Sequence, residues 1–118
     1  MGSLDLRKYY RTQKRGKITI TYVSWADLCA AVNEAKWVWS WDVEFLHPAG
    51  GPPAIKGTLT VRSSDGETYV SRCALAPVVF DVPGGNPWED AESAAFRRAW
   101  AKFNVGLELW RDKNGAVE

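Results

Sequence analysis

Residues 86–104 read NPWEDAESAAFRRAWAKFN, which has the marks of one long amphipathic helix. Asn86 is a favourable N-cap, Pro87 suits the first helical position, and an acidic residue follows in the first turn. We expect a helix that begins here and continues through Asn104. Its apolar side chains recur every three to four residues and predict a face packed on an apolar partner. That face comprises Phe96, Ala99, Trp100, Phe103 and the following Leu107.

The predicted partner is an antiparallel sheet of three consecutive strands. Residues 37–46 alternate between two faces, which is the period of a strand. Residues 55–62 alternate again after a loop rich in proline and glycine, and residues 67–75 return after a turn signal at 63–66. One face of the first strand is strongly aromatic and is expected to receive the long helix. It carries Trp37, Trp39, Trp41, Val43 and Phe45.

A further strand and helix are predicted upstream of this sheet. Residues 18–23 are β-branched and alternating, and Ser24 with Asp27 has the capping-box spacing that begins a helix over residues 25–36. The predicted fold class is therefore α+β. It consists of an antiparallel meander of three to four strands, with an N-terminal helix and a C-terminal helix packed on the sheet.

Composition and charge indicate one domain preceded by a basic arm. The chain has 118 residues, of which 46% are hydrophobic, and this suits a single core. Six basic residues and one acidic residue give residues 1–17 a local charge of +5, although the whole chain carries +1. We expect a flexible arm over residues 1–16, a domain over 17–111 and a tail over 112–118. The arm either contacts a polyanion or is a solvated tail.

Catalytic, metal and cofactor sites are not predicted. His47 is the one histidine and lies in a loop, whereas Asp42 and Glu44 share a strand face without further ligands. Cys29 and Cys73 are far apart and are expected to be reduced thiols. No segment has the length and apolar character of a membrane helix, and we expect a cytoplasmic protein that is not an enzyme.

Cations of the long helix and of the second strand are the candidate binding residues. Arg98 and Lys102 should lie on one flank of the helix and Arg97 on the other. They either form ion pairs with Glu89, Asp90 and Glu92 or bind a polyanion. The predicted basic groove combines Arg97, Arg98 and Lys102 with Lys56, Arg62 and Arg72.

The segment Ala91–Trp110 resembles the terminal helix of the single-strand annealing proteins. That superfamily includes the RAD52 family, the phage Sak and Erf recombinases and plant organellar relatives, and its pattern AE-x-x-AF-[KR]-RA-x-x-[KR]-FG-[IL]-G-x-x-LY is similar to this segment. Residues 22–26 also resemble the strand-to-helix entry of the Sak type. Asn104 stands where the pattern has glycine, and asparagine also adopts the left-handed conformation of a helix end.

This resemblance implies binding and annealing of single-stranded DNA in recombination or repair, without nucleotide hydrolysis. It implies a homo-oligomeric ring or helical filament, with other recombination proteins as further partners. Arg97 and Arg98 match the basic pair of the family pattern and are expected to contact phosphates. The alternative is a degenerate member that serves as a protein-interaction or oligomerisation module.

Overall fold

The computed structural model describes residues 4–62, 66, 68–80 and 84–111. The tail predicted over 112–118 and most of the turn predicted at 63–66 lie outside these residues. After a short 3-10 turn, Arg7–Tyr9, the chain forms five strands and three helices within the described ranges. They are β1 (Arg11–Arg15), β2 (Ile18–Tyr22), α1 (Trp25–Glu34), β3 (Trp39–Leu46), β4 (Ala54–Arg62), β5 (Tyr69–Pro77), α2 (Pro87–Ala101) and α3 (Glu108–Arg111).

Strands β3, β4 and β5 form an antiparallel meander with β4 in the centre, so the predicted α+β class and sheet are confirmed. Alternate residues of β4 are buried, because side chains of a strand point to opposite faces of its sheet. Ile55, Leu59 and Val61 face the helices, whereas Lys56, Thr58, Thr60 and Arg62 lie on the uncovered face, here called the open face.

Helix α2 lies over β4 and β5, and its aromatic side chains pack on the aromatic face of β3, as its apolar spacing predicts. Phe96 lies with ring centroids 5.7 Å from Trp39 and 5.1 Å from Trp41, and the fully buried Trp100 meets Trp39 edge-on at 5.8 Å. Small side chains on the buried face of α2 permit this close approach to the sheet. They are Ala91, Ala95 and Ala99.

Both long helices end earlier than predicted. Asn86 caps α2 as expected, because its Oδ1 accepts from the Glu89 amide at 3.2 Å. The helix stops at Ala101 instead of Asn104, which takes a left-handed φ of 64°. The amide of Val105 then donates to the Trp100 carbonyl at 3.0 Å, completing a Schellman end. Phe103 lies beyond the end of the helix and is half-buried, so the apolar face of α2 is shorter than predicted.

Helix α1 ends in the same way, at Glu34 instead of Lys36. Lys36 has a left-handed φ of 62°, and the Trp37 amide donates to the Val32 carbonyl at 3.1 Å. The chain thereby turns directly into β3, which begins at Trp39. Hydrogen bonds that close a helix end are formed by backbone conformation, and the apolar spacing of the sequence does not report them.

The N-terminal segment contains a strand that the sequence patterns do not indicate. β1 pairs with β2 in a separate two-stranded sheet, so β2 does not extend the meander. Leu6 is fully buried in the main core. The mobility expected for residues 1–16 stays a prediction, as does the domain boundary at residue 17.

Replacement of Gly57 is expected to destabilise the fold, because a Cβ at this position would overlap the indole ring of Trp41. We expect Gly57→Ala to lower the free energy of unfolding by about 1 to 3 kcal/mol through overpacking. Urea denaturation measures the change. Thr58→Ala, the adjacent position on the open face, is the control. Equal stability of Gly57→Ala and the wild type would contradict the packing described here.

Candidate nucleic-acid interface

Two cations, Arg98 of α2 and Lys102 at the C-cap of this helix, lie along the outer edge of β5. Arg98 donates through Nη1 to the carbonyl oxygen of Leu75 at 2.8 Å, and Lys102 donates through Nζ to the carbonyl oxygen of Cys73. These carbonyls belong to alternate residues of an edge strand, whose polar groups point away from the sheet. Arg98 and Lys102, one turn apart as predicted, therefore cover this edge.

Lys56 and Arg62 lie on the open face of the sheet, as the alternation of β4 predicts. Lys56 is half-buried and Arg62 is exposed. Neither has a hydrogen bond or ion pair with another described residue. The side chains of Thr58 and Thr60 lie between them, and Thr60 shares a 2.8 Å hydrogen bond with Ser71 of β5. This part of the open face therefore presents hydroxyls between two cations.

Arg72 does not share a face with Lys56 and Arg62, so the predicted grouping was wrong. Arg72 lies opposite Leu59 in the β4–β5 register, which places it on the helix-facing side of the sheet. Its guanidinium carbon lies 5.2 Å from the centroid of the Phe103 ring, a cation–π contact. The turn between β4 and β5 sets the register, and the register decides which side chains of the two strands share a face. The alternation of β5 alone does not reveal it.

Arg97 is half-buried. It lies one helical turn after Ser93, on the flank of α2 that faces away from the β5 edge. The six predicted cations therefore occupy separate places around the domain and do not converge on one groove. Arg98 and Lys102 cover the β5 edge, Lys56 and Arg62 lie on the open face, Arg72 lies against Phe103, and Arg97 lies on the other flank of α2.

Several cations of the N-terminal segment pair with carboxylates. Arg11 donates through Nε to Asp27 of α1 at 2.8 Å, and this bond holds the pKa of Asp27 below its ordinary value. Lys8 lies 3.4 Å from Glu34, at the end of the same helix. These contacts join the N-terminal segment to α1.

A further contact joins the two ends of the described chain. The hydroxyl of Tyr10 donates to Oε2 of Glu108 in α3 at 2.7 Å. Burial, together with this hydrogen bond, raises the pKa of Tyr10 to about 12. The phenol therefore stays protonated and able to donate across the physiological pH range.

Two lysines at the tip of the β1–β2 hairpin were not among the predicted site residues. Lys14 and Lys17 flank the turn at Gly16, whose φ is 62°, and both are exposed. Neither is paired with a carboxylate among the described residues. The run Lys-Arg-Gly-Lys at 14–17 could have indicated a basic turn. The hairpin itself was missed because β1 lacks the apolar alternation by which strands are recognised.

A groove of about 390 Å³ lies between α1, β3 and α2. Trp25 and Cys29 line one wall, and burial raises the pKa of the Cys29 thiol. Glu92 lies opposite and accepts a hydrogen bond from the Trp41 indole at 3.1 Å. Because the lining includes two carboxylates and no cation, we call it the acidic groove. Its full lining is Trp25, Cys29, Trp39, Trp41, Glu89, Glu92, Ser93 and Phe96.

Within the described parts of the chain, no group of three or more histidine, cysteine, aspartate or glutamate side chains could hold a metal ion. No helix in those parts has the length and apolar character needed to cross a membrane. His47 lies outside the strands, as predicted, and is exposed; its ring lies 6.1 Å from that of Trp88.

Arg98 is expected to contribute to stability through its bond to β5. Arg98→Met keeps an apolar stem but removes the donors, so we expect a loss of about 1.5 kcal/mol in the free energy of unfolding. Lys56→Met is the matched control, because Lys56 makes no hydrogen bond to a described residue. Chemical denaturation of both variants checks this, and equal losses would contradict a structural contribution from Arg98.

Comparison with known proteins found a distant relative. The chain is 28% identical over 104 residues to the protein named "DNA repair RAD52-like protein 1, mitochondrial" of Arabidopsis thaliana. The aligned part covers 86% of this chain and 58% of that protein, so the chain spans little more than half of its relative's length. No family model and no solved structure matches. This distant, partial similarity supports a RAD52-type family of DNA repair and recombination.

Proposed function

We propose that this chain binds single-stranded DNA and anneals complementary strands in recombination or repair, without nucleotide hydrolysis. The observation that carries the proposal is the alignment of 86% of the chain with a DNA repair RAD52-like protein. The aligned length is too great for a single shared motif. The predicted phosphate contacts are Arg97, Arg98, Lys102, Lys56, Arg62 and Arg72.

The open face supports this proposal by its chemistry. Arg62 lies directly opposite Tyr69 in the β4–β5 register, and Tyr69 is 54% exposed. An exposed ring beside a cation offers a base-stacking surface next to a phosphate contact. The hydroxyls of Thr58 and Thr60 are further donors to phosphate oxygens. Contacts of this kind leave the pairing edges of the bases free, which annealing requires.

The β5 edge supplies a second set of donors. A guanidinium has five N–H donors and an ammonium group three. The contacts of Arg98 and Lys102 with β5 carbonyls use one donor each, and Lys102 is exposed. Under the proposal Lys102 is positioned by the sheet edge and presents its other donors to phosphates, beside the Arg98 guanidinium. The bonds to β5 then reduce the side-chain entropy lost on binding.

Salt-dependent binding of a fluorescent thymidine oligonucleotide tests the proposal. Lys56→Gln/Arg62→Gln is expected to weaken binding to all sequences and to reduce the slope of log affinity against log salt by about 0.7 for each lost phosphate contact. Arg7→Gln/Lys36→Gln is the control. It also removes two positive charges, but from the 3-10 turn and the end of α1 instead of the open face. An equal effect of the two double variants would contradict binding on the open face.

Annealing is measured separately, by the pairing of complementary labelled strands without added nucleotide. The wild type is expected to accelerate pairing, and Lys56→Gln/Arg62→Gln to do so less. The absence of both binding and acceleration would overturn the proposed function. It would favour the alternative of an interaction module, for which the acidic groove is the structural argument.

A further inference from the structure

The acidic groove between α1, β3 and α2 has aromatic walls. Trp39 and Trp41 of β3 meet Phe96 of α2 at ring-plane angles of 57° and 83°, with ring centroids 5.7 Å and 5.1 Å apart. Trp25 of α1 lines another wall and is 56% exposed. Three indoles and a phenyl ring therefore surround one space of about 390 Å³, which is at the small end of the range for small-molecule sites.

Two of these rings are held in place by the protein itself. The Trp39 indole donates to Oδ1 of Asn33 at 2.9 Å, and the Trp41 indole donates to Oε2 of Glu92 at 3.1 Å. The Trp41 ring also lies against Gly57, where a Cβ would not fit. Rings that are already fixed reduce the side-chain entropy lost on binding. Because both indole N–H groups have acceptors, these tryptophans offer an occupant ring surface instead of donors.

The charge of the groove is negative. Glu89 and Glu92 line it, and the lining contains no lysine or arginine. The bond from the Trp41 indole uses one carboxylate oxygen of Glu92. The Glu89 carboxylate makes no hydrogen bond or ion pair with another residue that the structure describes. An anion would be repelled and a neutral occupant would leave both charges unbalanced, so the groove is suited to a cation.

The chemistry of the walls distinguishes between kinds of cation. Calcium and magnesium require about six or more oxygen ligands, which aromatic walls do not supply. A primary ammonium group has three N–H donors and is strongly hydrated, so burial among rings would cost it hydrogen bonds. An alkylated ammonium group has fewer donors or none, and the faces of indole rings attract it strongly. The groove therefore favours a cation that is apolar on its surface.

We propose that the acidic groove binds a small organic cation whose ammonium nitrogen carries alkyl groups. The ammonium group lies among the rings of Trp25, Trp39 and Trp41, and the carboxylates of Glu89 and Glu92 offset its charge. The groove is on the helix-facing side of the sheet, whereas the proposed phosphate contacts Lys56 and Arg62 are on the open face. The inference therefore goes beyond DNA binding and does not depend on it.

Isothermal titration calorimetry with choline tests the inference. The comparison compound is the neutral isostere of choline, in which a tert-butyl group replaces the trimethylammonium group. Choline is expected to bind about tenfold more tightly, because only the cation is attracted by the ring faces and the carboxylates. Equal affinities for the two compounds would overturn the inference, as would a dissociation constant for choline above about 10 mM.

The aromatic contribution is measured at Trp25, whose exposure allows replacement without opening the core. Trp25→Leu is expected to raise the dissociation constant of choline by about fivefold, because one ring of the groove is lost. Phe80→Leu is the matched control, since Phe80 has the same exposed fraction of 56% and does not line the groove. Equal affinities of Trp25→Leu and Phe80→Leu would contradict binding among these rings.

The contribution of charge is measured at Glu89. Glu89→Gln preserves the shape of the side chain and is expected to weaken choline binding by about threefold, without an effect on the neutral isostere. Glu44→Gln removes the same charge from the open face, where Glu44 is exposed opposite Lys56, and is the control. A loss of affinity that is equal for choline and its isostere would contradict the proposed role of the carboxylate.

Cysteine alkylation locates the bound cation on the protein. Cys29 lines the groove, whereas Cys73 is exposed and lies opposite Thr58 on the open face, where it serves as an internal control. Saturating choline is expected to slow alkylation of Cys29 severalfold and to leave Cys73 unchanged. Unchanged alkylation of Cys29 would contradict binding in the groove.

A peptide that carries trimethyllysine tests the other source of the same chemical group. We expect choline to bind at least as tightly as this peptide, because the groove has the volume of a small-molecule site. Tighter binding of the peptide than of choline, with no binding of the peptide that carries unmodified lysine, would overturn the assignment to a small molecule. It would assign the groove to a methylated protein partner.

Discussion

The contact of Phe96 and Trp100 with Trp39 and Trp41 is the interaction on which the rest of the domain depends. Edge-on and tilted aromatic pairs of this kind contribute about 0.5 to 1.5 kcal/mol each beyond the area that they bury. Gly57 leaves room for the Trp41 ring on the central strand. The helices are then oriented by the indole nitrogens. Trp39 donates to Asn33 of α1 at 2.9 Å, and Trp41 donates to Glu92 of α2 at 3.1 Å.

The same packing determines how the two sheet edges differ. With Phe96 on β3, the flank of α2 that carries Arg98 and Lys102 reaches β5, where carbonyls accept from both cations. On the opposite flank of α2, Glu92 lies beside β3. The acidic groove forms there, next to a strand edge that has no hydrogen-bond partners among the described residues. Unpaired strand edges promote pairing between chains. One edge is thus blocked by side chains, whereas the other is available to a partner.

The distribution of charge separates two surfaces with different chemistry. The open face presents Lys56 and Arg62 around a row of hydroxyls, and a phosphate backbone is attracted by such groups. The acidic groove would repel a phosphate backbone and attract cations. The Lys56 and Arg62 cations and the acidic groove therefore lie on opposite faces of the sheet. The similarity to a DNA repair RAD52-like protein is consistent with the proposed DNA binding.

Local patterns in the sequence were sufficient for the fold class, the order of the main elements and the start of α2. These features follow from apolar spacing and capping residues, which act over a few neighbouring positions. The left-handed conformation of Asn104 also follows from its residue type. Strand β1 could not be predicted, because its five residues are all polar and its pairing with β2 supplies its structure.

The arrangement of the charged residues depended on tertiary structure. Arg72 lies apart from Lys56 and Arg62 because the register between β4 and β5 sets the face of each side chain, and a shift of one residue would reverse it. The acidic groove joins residues from α1, β3 and α2 that are up to 71 positions apart, from Trp25 to Phe96. The sequence by itself determined that α1 and α2 are helices and that β2 to β5 are strands, since these patterns are local. The tertiary structure alone decided which cations share a surface and which sheet edge stays open, because packing and register join distant residues.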